Sequence, residues 1–154
     1  MAVLVPNAAV RQGALGLLVS RATSNLPATA ALNIFTVTGG RILVVSLVGE
    51  VTTIIQAQAC TVKVTSTPTA GTAVDLSAVS ASISGLEVGG KLTLPAAAAT
   101  ALVTGNAGGV IGRQAAWVIP PGSLSYTTSA TNTGQIKWDL VYVPLDNAAS
   151  VAAA

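Results

Sequence analysis

The sequence predicts an all-β protein, an antiparallel β-sandwich or jelly-roll-like barrel preceded by an N-terminal arm. Three observations carry this. Short β-prone runs recur between Gly, Pro and Asn turn signals across residues 34–144. Residues 60–66 and 135–144 alternate apolar and polar side chains with a period of two, as a strand with one face on a core does. Other runs, such as Ile42-Leu-Val-Val and Ile54-Ile55, are apolar on both faces, so their second face also needs a cover.

The organisation divides into residues 1–33, 34–144 and 145–154. The first region holds Pro6, Gly13, Gly16 and Pro27, with Arg11 and Arg21 flanking an apolar stretch at 14–19. It reads as either a short helix or an extended arm. The β region opens with Asn33-Ile-Phe-Thr-Val-Thr and Arg41-Ile-Leu-Val-Val-Ser-Leu-Val, separated by Gly39-Gly40. That spacing predicts a hairpin with a primed turn. The β-prone run continues through 51–59. In the next strand Cys60, Val62 and Val64 face inward and Thr61, Lys63 and Thr65 outward, until Thr67-Pro68 and Ala70-Gly71 end it.

Residues 74–84 mix Ser, Ala and Val without a clear period. Gly89-Gly90 precedes a short strand at Lys91-Leu-Thr-Leu. The alanines at 96–101 favour a helix, whereas Pro95 and the β-rich surroundings favour a loop equally. Residues 114–119 run into Pro120-Pro121-Gly122, and a Ser/Thr strand follows at 123–129. After turn signals at Asn132 and Gly134, the last strand puts Ile136, Trp138, Leu140 and Tyr142 on its core face. Lys137 and Asp139 form a charge pair on the other face, and Pro144 ends the ladder. The small residues of 145–154 predict a loosely held tail.

Composition narrows the function. Charged residues make up 8% of the chain, against about 25% in a typical soluble domain. Such a surface suits a part covered by neighbours. The mean hydropathy is +0.71, but charges, Pro95 and glycines break the apolar stretches 41–55 and 92–112, so neither suits a bilayer and no membrane partner is expected. No basic region precedes an apolar segment at the N-terminus, which makes a poor secretory signal and favours synthesis in the cytoplasm. Cys60 is the single cysteine, which excludes an intrachain disulfide. The seven basic residues are scattered, so no nucleic-acid partner is expected.

Catalysis and cofactors are expected to be absent. The chain has no histidine to serve as the base of a hydrolytic triad, and no serine stands in a Gly-x-Ser-x-Gly elbow. The five carboxylates are dispersed, no Cys/His cluster suits zinc, and no Asp/Asn-rich loop suits calcium. The glycine-rich loop at 105–112 lacks both the dinucleotide fingerprint and the P-loop lysine. Tyr126, on the Ser/Thr strand, is the candidate exposed aromatic contact, as in a carbohydrate-binding module or adhesin.

The segment Trp117-Val-Ile-Pro-Pro-Gly-Ser-Leu-Ser-Tyr, followed by Gly134-Gln-Ile-Lys-Trp-Asp-Leu-Val-Tyr-Val-Pro-Leu, resembles small virion structural proteins of tailed bacteriophages. Size and the lack of a fibrous repeat make it most similar to head decoration, or cement, proteins. The resemblance implies a β-rich homotrimer, made in the bacterial cytoplasm, that binds the major capsid protein on the outer capsid surface and stabilises the shell. A tail, vertex or fibre-attachment component of the virion is the alternative within that class. It carries over no catalytic or ligand-binding residues. On an arm reaching a neighbouring subunit, Arg11 and Arg21 are the candidate capsid contacts.

Overall fold

β-branched and Thr-rich segments are too short and too often interrupted by Gly and Pro to build helices, and strands result. The computed structural model describes residues 10, 13–27, 29–109, 112 and 114–154. Its strands are β1 (Leu17–Asn25), β2 (Ala31–Thr38), β3 (Ile42–Thr53), β4 (Val62–Pro68), β5 (Val74–Asp75), β6 (Lys91–Thr93), β7 (Val103–Gly105), β8 (Trp117–Ile119), β9 (Gly122–Thr128), β10 (Gln135–Pro144) and β11 (Ser150–Ala153). The first sheet runs β1-β10-β3-β6-β7, with β8 also on β3; the second runs β11-β2-β9-β4-β5. All strand pairings are antiparallel. The two sheets pack together as an open β-sandwich, not a closed barrel.

The core fills the space between the sheets. Trp138, Tyr126, Phe35, Leu47, Leu124 and Leu140 are all fully buried there. The inward row of β10 matches its predicted face: Ile136, Trp138, Leu140 and Tyr142 are buried, and Lys137 and Asp139 pair at 3.1 Å on the other side. Tyr126 and Trp138 come from opposite sheets and meet with ring centroids 5.2 Å apart at a 45° tilt. Gly49 on β3 makes room for this indole, since a Cβ there would stand 3.0 Å from two of its ring carbons.

Three sequence expectations are corrected. Residues 33–38 and 41–48 do not form a hairpin. Gly39-Gly40 instead carries the chain from β2 in the second sheet to β3 in the first. Gly39 has φ +72°, and a Cβ there would overlap the carbonyl oxygen of Ala148. Pro120-Pro121-Gly122 makes the reverse crossing, from β8 to β9. An intersheet crossing and a hairpin turn both need glycine at positive φ, so the dipeptide alone does not distinguish them.

Residues 1–33 are not a separate arm throughout: residues 13–15 are helical, but β1 is a full strand against β10 and β2 begins at Ala31. Nor is the C-terminus loose. β11 pairs with β2 over Ser150–Ala153, and its Val151 N–H donates to the Tyr142 hydroxyl at 3.3 Å.

Two segments left open by the sequence now have a shape. Residues 96–101 form turns and a single bridge, not a helix. Residues 76–83 run beside β4: their backbone N–H groups donate to its carbonyls, and serine side chains accept from its N–H groups. The Ser77 hydroxyl accepts from Val64 N–H at 3.1 Å and the Ser80 hydroxyl from Val62 N–H at 3.0 Å. Both serines are buried, so leaving these groups unpaired would be costly.

Candidate assembly surface

The outer face of the first sheet is ordered in rows by strand register. Val143, Leu43 and Val118 form one row across β10, β3 and β8. Leu18 and Val141 form the next across β1 and β10, followed by Ser46 on β3. A bulge at this point leaves Val45 unpaired between inward-facing Val44 and Leu47, so Val45 joins the outer side. Leu18 is 64% exposed, Val118 59% and Val45 41%, and Leu43, Val141 and Val143 between them are half-buried, so the apolar area spans four strands.

Polarity rises along the same face. Ser20, Asp139, Val48 and Thr93 make the third row, and Lys137, Glu50 and Lys91 the fourth. Lys91 pairs with Glu50 at 2.9 Å. Asn25, Gln135 and Thr53 finish the sheet as a hydrogen-bonded row, with contacts of 2.9 and 3.1 Å. One sheet face thus has an apolar end and a polar end.

The second sheet presents the opposite texture. Its outward positions include Thr36, Ser123 and Thr67 in one row, and Asn33, Ser125, Thr65 and Asp75 in another. Lys63 pairs with Asp75 at 2.9 Å, and this ammonium, together with the Thr65 hydroxyl, holds the Asp75 carboxyl below its ordinary range.

All five carboxylates are engaged within the chain. Glu50, Asp75, Asp139 and Asp146 are ion-paired, and Glu87 accepts from the Ala107 N–H at 3.0 Å. Among the described residues no group of three potential metal ligands converges. The depression lined by Gly105, Gly109 and Gly112 holds only about 50 Å³.

The residues singled out from sequence fare differently. Arg11 lies outside the described residues. Arg21 is not on a free arm: it is half-buried in β1, and its Nε donates to the Ala154 carbonyl at 2.9 Å while Nη1 donates to the Ser24 hydroxyl at 2.6 Å. It clasps the adjacent edges β1 and β11 through its Nε and Nη1 donors.

Tyr126 is not an exposed contact. It is fully buried on the inward face of β9 beside Trp138, and burial pushes its phenol pKa up. Its Ser/Thr neighbours suggested exposure because Ser123 and Thr127 are only half-buried, although Ser125 between them is buried. The apolar outer rows were partly signalled by the two-sided run at Ile42. Val141 and Val143, alternating with the core residues of β10, carry the same signal.

No protein-family model, no curated protein and no solved structure matches this chain.

Proposed function

We propose that this chain is a non-enzymatic structural subunit of a tailed-phage virion, a decoration protein that binds the outside of the capsid and stabilises the shell. The supporting observation is the apolar end of the first sheet, where exposed Leu18, Val45 and Val118 surround half-buried Val141, Val143 and Leu43. Covering it desolvates few charges, since the ion pairs that border it, Arg41–Asp146 beyond one end and Lys137–Asp139 from the next row, are already closed. The major capsid protein is the proposed cover.

The test is addition of the purified protein to assembled shells that lack it. Saturable binding and a raised shell melting temperature are expected. Leu18→Lys and Val118→Lys should leave the free protein folded and reduce binding at least tenfold. Failure of the wild-type protein to bind, or binding that leaves shell stability unchanged, overturns the reading.

A further inference from the structure

Among the described residues, β8 has one used edge and one free edge. It pairs with β3, and no described strand lies on its other side. Across from that free edge stands β5, the last strand of the second sheet. Between them lies a cleft of about 240 Å³, with Pro68, Val74 and Leu76 on one wall and Trp117, Val118 and Pro120 on the other. Among the described residues no charged side chain lines it. An apolar cavity of ~150 Å³ suffices for a benzene ring, so this cleft has room for aliphatic side chains. Val74 and Val118 at its lips are 60% and 59% exposed. The Trp117 indole N–H is buried without an acceptor among the described residues, an uncommon state for such a group.

We propose that this cleft receives residues 2–6, Ala-Val-Leu-Val-Pro, of a second copy of the chain, added as a short strand along the free edge of β8. Main-chain hydrogen bonds to the edge give affinity in this mode, and pockets for alternate side chains give specificity. Val3-Leu4-Val5 is strand-prone and equals the three residues of β8 in length. Pro6 lacks an N–H and ends the ladder there. Residues 1–10 carry no charged side chain, matching the uncharged cleft. A carbonyl of the incoming strand supplies the acceptor that Trp117 lacks.

The origin of the segment favours a second copy over the same chain. Leu17, Tyr142, Val44 and Trp117 are register partners in one row, so β1 and β8 stand at the same level on opposite edges of the first sheet. Three strand spacings, about 14 Å, separate them. The chain ahead of β1 therefore leaves from the edge away from its own cleft. Val10 and Leu15, ahead of β1, are 52% and 66% exposed. A donor edge on one side and an acceptor edge on the other make a head-to-tail contact, which closes into a ring when the rotation permits. This inference rests on the cleft and stands whether or not the assembly is a virion.

Disulfide trapping tests it in a Cys60→Ala background. Full-length Leu4→Cys chain mixed with Val118→Cys chain should give a covalent dimer under air oxidation, and a chain carrying both substitutions should give covalent multimers. A covalently closed monomer from the doubly substituted chain would mean that each chain fills its own cleft, and would overturn the proposal. In a second measurement, a labelled peptide of residues 1–9 should bind the full-length Leu4→Asp chain, and adding Val74→Lys should weaken that binding at least tenfold. No trapped dimer together with no peptide binding, or peptide binding indifferent to Val74→Lys, also overturns it.

Discussion

Arg41 holds Asp146 with three hydrogen bonds: Nε at 3.1 Å, Nη2 at 3.0 Å and its own backbone N–H at 2.7 Å. The contact joins the β2-to-β3 crossing to the β10-to-β11 crossing, 105 residues apart in sequence. The Arg41 side chain and backbone donors hold the Asp146 carboxyl down to about 2. An unfolded aspartate titrates near ~3.9. A depressed folded pKa means that the pairing stabilises the protein fully above about pH 4 and is lost as pH falls through about 2. Melting temperatures of wild type and Asp146→Asn should therefore differ at pH 6 and converge as pH approaches 2. A constant difference across that range would contradict the account.

Glycine at the intersheet crossings is required by conformation and by space. Gly39→Ala places a Cβ against the Ala148 carbonyl at φ +72°, and Gly122→Ala places one against the Thr67 carbonyl at φ +153°. Each should cost about 2 kcal/mol or more in urea unfolding. Gly85→Ala is the control for conformation alone, since it also has positive φ (+69°) but nothing lies within 4 Å of its Cβ. Its loss should be smaller than either.

The aromatic pair at the centre separates core packing from surface recognition. Trp138→Ala should destabilise by ~3–5 kcal/mol, the range for removing a buried large aromatic. Tyr126→Phe keeps the ring and loses the hydroxyl's contacts, to the Asn25 carbonyl at 3.4 Å and to the Ser24 side chain, so the cost should stay below about 1 kcal/mol. Chemical denaturation followed by tryptophan fluorescence measures both. Equal losses would show that the hydroxyl, not the ring, is what the core depends on.

Arg21 closes the side of the sandwich where β1 and β11 run together. Arg21→Met keeps an apolar stem and removes the donors to Ala154 and Ser24. Amide exchange at Ser150–Ala153 should accelerate at least tenfold, with little change in β4 or β9. Unchanged exchange at the C-terminus would mean that the β11–β2 ladder holds that end alone.

The strands were largely legible in the sequence because period-two alternation reports which face meets the core. In β10 that pattern placed Trp138, Tyr142 and the Lys137–Asp139 pair correctly. What alternation does not report is which sheet a strand joins. Gly39-Gly40 and Pro120-Pro121-Gly122 are local turn chemistry, whereas the choice between hairpin and crossing depends on partners far along the chain, such as β10 for β3. Residues 76–83 were opaque for a related reason: Ser77 and Ser80 replace backbone acceptors beside β4, leaving no strand periodicity to read. On the candidate surface, the two-sided run at Ile42 was visible, while its continuation through Leu18 and Val118 required the register of three neighbouring strands.

The most direct measurement of the central claim is a cryo-electron microscopy map of tailed-phage shells incubated with the purified chain. The account predicts many evenly spaced copies on the outer shell, with the Leu18–Val141 and Val143–Leu43–Val118 rows packed against neighbouring protein. Particles without the chain, or copies whose first sheet faces open solvent at those rows, would contradict it.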